Sequence, residues 1–305
     1  MKHFKTISEF SQFRQLPKAD HPLINVLKLE SVETTSIVEP SFWSCDFYCI
    51  GLKRVANTQE VKLQYGQQTY DYDDGILSFI SPNQVLRLSI DKKAVQLKQS
   101  GWMLLIHPDF IWNTSLAKTI KQYDFWDYTV TEALFLSEKE EALLVEIIKN
   151  IQQECRSNID KFSKSIIVSH LETLLNYADR FYNRQFITRE KANHQVLQRL
   201  EELLDNYFNS DNLINKGLPT VTEVAQMLNL SPKYLSTLLK VLTGQNTQQH
   251  IHEKLIAKAK EKLSTTELSI SEIAYSLGFE HLQSFSKMFK TKTQLSPLQF
   301  RQKFN

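Results

Sequence analysis

The 305-residue sequence predicts an α+β protein: a β-rich N-terminal domain with flanking helices, then an all-α domain that contains two helix-turn-helix units. Three observations support this fold class. Short apolar segments bounded by turn residues fill residues 21–110, helical periodicity begins at Ser137, and two C-terminal segments repeat each other at an offset of 49 residues. A chain of this length is sufficient for two domains with separate cores.

The strands of the N-terminal domain are predicted from alternation and from turn signals. In residues 60–73, Tyr70 and Tyr72 share one face of an alternating segment, and apolar segments follow at 76–80, 85–90 and 101–107. No helical pattern separates these strands, so their close spacing indicates a small barrel or sandwich and not a parallel sheet.

Two helices are predicted at 138–182. Ser137 and Glu140 form the pattern of a capping box, and the helices that follow carry continuous apolar faces. These faces need a cover, either the strands of the same subunit or the same helices of a second subunit. Both uses stay open, and we expect a homodimer through these helices. The sensor and dimerisation domain is therefore predicted at 1–182, with a polar linker at 183–193 and a C-terminal domain at 194–305 that opens with a helix at about 195–208.

The C-terminal repeat pairs residues 221–243 with residues 270–292. Each unit begins with a capping-box pattern, places alanine in the middle of its first helix, and has Asn229 or Gly278 at the turn. The second helices align after a shift of one residue, which matches Leu235, Leu238 and Leu239 with Phe285, Met288 and Phe289. This layout is that of a helix-turn-helix, in which the second helix enters the major groove of DNA.

With the apolar residues inward, polar side chains of both second helices point outward. Gln can bond adenine, Lys can bond guanine, and Ser or Thr can bond either donors or acceptors, while lysines near the helix ends suit phosphates. The base-facing candidates are Lys233, Ser236, Thr237, His281, Leu282, Gln283, Ser286 and Lys287. The phosphate candidates are Lys240, Lys258, Lys290 and Lys292. His281 and Leu282 have a second interpretation, in which they only begin the helix.

Composition agrees with DNA as the partner of the C-terminal domain alone. From Lys216 onward there are 12 Lys and Arg against 6 Asp and Glu, whereas the first 215 residues carry a net charge of −4. The seven glycines are never closer than nine positions, which excludes the usual dinucleotide, nucleotide and hydrolase motifs. Three cysteines in no paired pattern, and no apolar segment of signal-peptide or membrane-span length, predict a cytoplasmic protein without a membrane partner.

No metal site or cofactor is predicted. His250 and His252 are spaced i, i+2 on a predicted helix, which points the two rings apart, and no cysteine or third histidine lies nearby.

The C-terminal segment resembles the AraC/XylS family of transcription regulators over about 110 residues. The resemblance is carried by Leu228–Leu239 with Thr243-Gly244, Ala257-Lys258-Ala259, Leu263, Ile273-Ala274, Leu277-Gly278-Phe279, Phe285, Phe289-Lys290, Ser296-Pro297 and Phe300-Arg301. It departs at Gln294, where the family usually has glycine. The resemblance implies a regulator such as an activator, two recognition helices in successive major grooves, and RNA polymerase as a partner.

The resemblance also implies an N-terminal cupin-like β-barrel that can bind a small effector. The candidate effector-binding residues are Trp43, Tyr48, Tyr70, Tyr72, Trp102 and His107, although an ordinary core or rim position is the favoured interpretation of each. A barrel that serves only protein–protein interaction is the alternative. A cupin-type enzyme is the weaker one, because His21 and His107 do not form the family's HxH metal set.

Overall fold

The structure is a computed structural model that describes residues 2–29, 42–55, 75–87, 99–129, 132–157, 160–188, 190–210 and 212–303. The chain divides into two compact units, Met1–Gln185 and Phe186–Asn305. The predicted polar linker at 183–193 is helical wherever it is described, since one helix continues to Thr188 and the next begins at Glu190. Most of these residues are polar, so the spacing of apolar residues does not indicate a helix there.

The strands of the N-terminal unit form two sheets. The strands are β1 (Lys2–Phe4), β2 (Ile24–Lys28), β3 (Phe42–Cys45), β4 (Tyr48–Val55), β5 (Gly75–Ile80), β6 (Leu86–Arg87), β7 (Gln99–Ile106) and β8 (Leu134–Leu136). An antiparallel sheet has the order β2-β7-β4-β5-β8, and a smaller sheet has the order β1-β3-β6 with β1 and β3 parallel. The prediction of a closed cupin-like barrel is wrong for the described strands, because alternation predicts strands but not their pairing.

The larger sheet is covered by different elements on its two faces. One face carries Tyr48, Ile50 and Leu52, and their register partners on β7 include Trp102. On this face Phe79 packs its ring on Phe125 at 4.2 Å between centroids. The opposite face carries residues such as Cys49 and Leu105, which share a buried cluster with Phe4 and Phe10. This cluster includes residues of α1 (Ile7–Phe13), so the sheet is buried on both faces.

The other α-helices of the N-terminal unit come after strand β7. They are α2 (Pro108–Ile111), α3 (Ser115–Thr119), α4 (Glu138–Arg156) and α5 (Ser163–Thr188), the last of which continues into the second unit. The predicted capping box is confirmed, because Ser137 accepts from the Glu140 amide while the Glu140 carboxylate accepts from the Ser137 amide. The apolar face of α4 is buried within its own unit, where the helix packs on β2, β7 and β8.

The C-terminal end of α5 holds the edge strand β8 through side-chain hydrogen bonds that the sequence did not predict. Gln185 is 2% exposed, accepts from the Phe135 amide at 2.8 Å and donates to the Ala133 carbonyl at 3.3 Å. Arg184 donates to the Phe135 carbonyl at 2.9 Å and pairs with Glu140 at 2.7 Å. Buried polar side chains of this kind satisfy backbone groups that a three-residue strand leaves unpaired.

The described residues of the C-terminal unit form α-helices joined by short turns. Its helices are α6 (Glu190–Asn209), α7 (Asn212–Lys216), α8 (Val221–Met227), α9 (Pro232–Thr243), α10 (Thr247–Thr265), α11 (Ile270–Ser276), α12 (Leu282–Thr293) and α13 (Pro297–Arg301). One buried cluster joins them, with Leu200 and Leu204 of α6 and Leu255 and Ala259 of α10 among its members. Within the described ranges, no helix combines the length and apolarity needed to cross a membrane.

The second helix of each helix-turn-helix unit ends at a residue in the left-handed conformation. Gly244 ends α9 with φ 76°, and Gln294 ends α12 with φ 64°. Gln294 is the position at which the sequence has glutamine where the family usually has glycine. The turn itself survives the glutamine, since the Gln294 amide still donates to the Lys290 carbonyl at 2.8 Å. A residue with a Cβ is disfavoured in this region, so the glutamine costs stability.

We predict that Gln294→Gly stabilises the protein by about 0.5–1 kcal/mol, because glycine adopts positive φ without a steric penalty. Gly244→Ala is the reciprocal control and should destabilise by a similar amount. A Cβ at Gly244 would meet no atom within 4 Å, so its cost would be conformational alone. Calorimetric unfolding of the full chain measures both changes. A lower midpoint for Gln294→Gly would contradict the prediction.

Candidate nucleic-acid interface

The first helices of the two repeats begin in the same way. Thr220 and Glu223 form a complete capping box at α8, and Ser269 and Glu272 form one at α11, as the sequence predicted. Hydrogen bonds from Thr220 hold the pKa of Glu223 below its ordinary value, and those from Ser269 lower the pKa of Glu272. Both carboxylates therefore stay ionised at neutral pH, where each accepts from the backbone at the helix start.

The turns between the helices also match. Asn229 has φ 58° and Gly278 has φ 80°, and in each unit the next amide donates back to the mid-helix alanine carbonyl. These bonds run from Leu230 to Ala225 at 2.9 Å and from Phe279 to Ala274 at 3.1 Å. The left-handed residue closes the first helix and allows the chain to turn sharply into the second. The expected positive φ at both turns is confirmed.

Glycine is required at the second turn for a reason that the sequence did not show. A Cβ on Gly278 would lie 2.6 Å from the Leu213 carbonyl oxygen and 2.9 Å from Gly217 Cα. The α7 backbone therefore packs directly against this turn. At the first turn the side chain of Asn229 is exposed, so a residue with a Cβ fits there.

The second helices, α9 and α12, have twelve residues each and start 50 positions apart, which confirms the predicted shift of one residue. Leu235, Leu238 and Leu239 are fully buried, and so are Phe285 and Phe289. Met288, the remaining predicted member, is half-buried against the same core. Each second helix therefore packs its apolar face on the core and leaves polar residues on the opposite side.

The structural repeat extends beyond residues 221–243 and 270–292, the two segments paired in the sequence. Thr243 and Thr293 make the same bonds after α9 and α12, each hydroxyl donating to the carbonyl four residues earlier at 2.8 Å. Asn246 and Ser296 then start α10 and α13 with capping boxes. Extending the offset of 50 past Thr243 would have revealed this continuation in the sequence.

The candidates on α9 differ in how freely they face solvent. Lys233 and Lys240 are exposed, whereas Ser236 and Thr237 are half-buried. The Ser236 hydroxyl lies 2.9 Å from that of Thr247, which is fully buried. The expectation that Ser236 points outward is therefore wrong in part, because its hydroxyl is turned toward α10.

The candidates on α12 are more open. His281, Gln283 and Lys287 are exposed, and Lys290 and Lys292 are exposed at the C-terminal end of the helix. Ser286 and Leu282 are half-buried, and Leu282 packs against the core, which agrees with its interpretation as a helix-start residue. His281 is the N-cap of α12 but makes no side-chain capping bond.

The lysines of α10 are largely engaged within the domain. Lys258 pairs with Glu261 at 2.9 Å and keeps only 22% of its side chain exposed, and Lys254 pairs with Asp205 of α6. The predicted phosphate role of Lys258 would require breaking an existing ion pair. The sequence analysis named Lys258 as a phosphate candidate without its partner Glu261, which lies three residues further along the same helix.

The histidine and cysteine side chains give no metal site in the described residues, where no group of three potential ligands exists. The His250 ring bonds the Thr243 hydroxyl at 2.9 Å, while the His252 ring contacts the Gln248 amide at 2.9 Å. Burial raises the pKa of Cys45 and Cys155 to about 11 and that of Cys49 to about 12, so these thiols are protonated at neutral pH.

The candidate effector-binding residues are not brought together. Tyr48 and Trp102 are buried on the sheet face that packs on Trp126 and Phe125, whereas Trp43 contacts Phe10 on the opposite side. His107 is the N-cap of α2 and accepts from the Asp109 amide. Tyr70 and Tyr72 lie outside the described residues. Among the described candidates, Trp43 therefore lies on the opposite side of the sheet from Tyr48 and Trp102.

A family model described as a helix-turn-helix domain matches residues 224–303. The arabinose operon regulatory protein of Escherichia coli is 29% identical over 141 residues, which are 46% of this chain and 45% of that protein. The regulator YfiF of Bacillus subtilis, described as an uncharacterised HTH-type transcriptional regulator, is 31% identical over 144 residues, which are 47% of this chain and 42% of that protein. The C-terminal domain of the response regulator yesN from Fusobacterium nucleatum is 35% identical, covers 33% of this chain and 96% of that chain, and has a TM-score of 0.29.

The C-terminal segment matches the helix-turn-helix domain of AraC-type transcription regulators. The matching segment spans about half or less of the length of the two curated relatives. Both of these relatives are named as regulatory proteins. The shared part is the DNA-binding domain of the family.

We predict that Gly278→Ala destabilises the protein by about 2–4 kcal/mol, because the new Cβ would overlap backbone atoms and would also be held at positive φ. Asn229→Ala is the matched control at the equivalent turn and should cost only about 1 kcal/mol, since it keeps an exposed position. Calorimetry of the full chain compares the two. Equal costs would show that the contact between α7 and the turn does not restrict residue 278.

Proposed function

We propose that this protein is a sequence-specific DNA-binding transcription regulator in which α9 and α12 enter successive major grooves. The observation that carries the proposal is the duplicated architecture: two helix-turn-helix units with equal helix lengths, equal turns and fully buried inner faces. Because each inner face is committed to the core, the outward polar face of each second helix is the surface left for a partner.

The outward residues have the chemistry that base edges require. Gln283 can bond adenine through its amide, and Lys287 can reach the guanine acceptors. These two residues lie one turn apart on α12 and are both exposed. Lys233 and Thr237 occupy the equivalent positions on α9 at the offset of 50. This placement supports base contacts from both helices.

The exposed lysines at the helix ends support the phosphate contacts. Lys240 lies in the last turn of α9, and Lys290 and Lys292 lie in the last turn of α12. The excess of basic residues after Lys216 adds a favourable long-range term for a polyanion. Lys258 is the weakest phosphate candidate because Glu261 already neutralises it.

Selection of bound sites from random double-stranded DNA by the full chain tests the function directly. Two enriched motifs with centres about 10–10.5 base pairs apart would support insertion of both helices on one side of the duplex. Undiminished affinity for a duplex too short to present two successive major grooves would contradict the two-groove proposal. No enrichment would contradict sequence-specific binding altogether.

We predict that Gln283→Ala relaxes base preference at one or two positions of the selected site and weakens binding to that site by about 1–3 kcal/mol. Lys290→Ala is the contrasting variant: it should weaken binding to specific and random DNA alike and lower the slope of log K against log salt by about 1. Fluorescence anisotropy titrations at several salt concentrations measure both. Equal losses on specific and random DNA for Gln283→Ala would refute its role in base recognition.

We also propose that the N-terminal unit mediates self-association, with RNA polymerase as the expected partner of the assembled regulator. The support is a set of exposed apolar residues, which we call the apolar patch: Trp112, Phe162 and Ile166 are 67%, 56% and 41% exposed. Lys164 joins the patch by donating from Nζ to the Trp112 carbonyl at 2.9 Å. A second copy is the occupant we propose, because lysines and Asp160 around the patch offer both signs of charge to a symmetric partner.

We predict that Phe162→Ala combined with Ile166→Ala shifts the full chain from dimer toward monomer, because the apolar area available to a second copy is removed. Sedimentation velocity over a concentration series measures the shift. Lys149→Ala, at an exposed position of α4, is the control and should leave the equilibrium unchanged. A monomeric unmodified chain at high concentration would contradict the proposed interface.

A further inference from the structure

Equivalent positions of α9 and α12 differ in whether their polar side chains already have partners. On α9, Ser231 accepts from the Tyr234 amide at 3.2 Å, and the Tyr234 ring packs on Phe186 with 5.2 Å between centroids. Lys233 and Thr237 also interact with other residues of the chain. Through Ser231, Tyr234 and the bond from Ser236 to Thr247, the first half of α9 already uses polar groups for contacts within the protein.

On α12 the equivalent groups are uncommitted. His281 makes no capping bond, and the side chains of Gln283, Ser284 and Lys287 are exposed. Across the described residues, these side chains make no hydrogen bond or ion pair to the rest of the protein. The first half of α12 therefore leaves its polar side chains open to a partner. The first half of α9 uses polar side chains for contacts within the protein.

The two serines at the same position show the cause of this difference. Ser236 of α9 bonds Thr247, the first residue of α10. Ser286 of α12 is its equivalent at the offset of 50, and the residue equivalent to Thr247 is Pro297, the first residue of α13. Proline has no hydroxyl, so it cannot bond the Ser286 side chain. The second repeat has lost the internal partner that holds the serine in the first.

We propose that α12 supplies most of the base discrimination and that α9 acts mainly as an anchor on the backbone, with Gln283, Ser286 and Lys287 as the specificity-determining residues. The inference rests on the proposed function and assigns its selectivity to one of the two helices. A side chain that already has a partner must exchange that bond for one to a base, so the correct base gains less over an incorrect one. An uncommitted side chain forms its bond only with the correct base.

The experiment uses the full chain and the duplex obtained by site selection, in which every base pair of both half-sites is substituted in turn. The half-site whose preference relaxes in Gln283→Ala is that of α12. We expect substitutions there to weaken binding about 5- to 100-fold and substitutions in the other half-site to weaken it less than about 5-fold. Lys233→Ala, the equivalent variant on α9, should weaken binding to all sequences similarly.

The serine pair provides a matched control with identical chemistry. Ser286→Ala should relax base preference without lowering the unfolding midpoint, whereas Ser236→Ala should lower the midpoint and leave base preference unchanged. Equal penalties in both half-sites, or equal relaxation by Ser236→Ala and Ser286→Ala, would overturn the inference while the proposed function stands. Failure to select any site would overturn the proposed function itself.

Discussion

Burial of one face of each recognition helix is the constraint on which the rest of the C-terminal unit depends. Leu235, Leu238 and Leu239 on α9 and Phe285 and Phe289 on α12 are fully excluded from water, and each such side chain contributes about 1.5–3 kcal/mol. Once these faces are fixed, the helical period decides which residues point outward. The small alanines and the left-handed turns allow the second helix of each unit to approach closely enough for this burial.

The duplicated unit could be predicted from sequence because its signals are local. A capping box, a turn residue and a period of 3.6 all lie within a few residues of one another, and the structure confirms each of them at Thr220, Asn229, Ser269 and Gly278. The later part of the repeat, from Thr243 to Asn246 and from Thr293 to Ser296, obeys the same rules. It follows the offset of 50 residues that relates α9 to α12.

The N-terminal unit was predicted less well, for a different physical reason. Alternation in residues such as Tyr48–Leu52 predicts that a strand has two faces, but pairing between strands is decided by contacts far apart in sequence. The described strands form two sheets instead of a closed barrel, and Tyr48 packs on Trp126 while Trp43 packs on Phe10 of α1. The buried Gln185, which holds β8, carries no sequence signal, because its partners are backbone groups about fifty residues earlier.

The sequence by itself determined the helix-turn-helix scaffold, the family and the basic character of the C-terminal domain, since all three depend on residue type and short spacing. The tertiary structure decided which polar residues are free to bind DNA. Lys258 is paired with Glu261, and Ser236 is bonded to Thr247, whereas Gln283 and Lys287 remain exposed. Ser236 is held by the first residue of the neighbouring helix α10, which spacing along α9 cannot show. The partner of Lys258 lies three residues further along the same helix, and only the folded geometry shows that the two side chains meet.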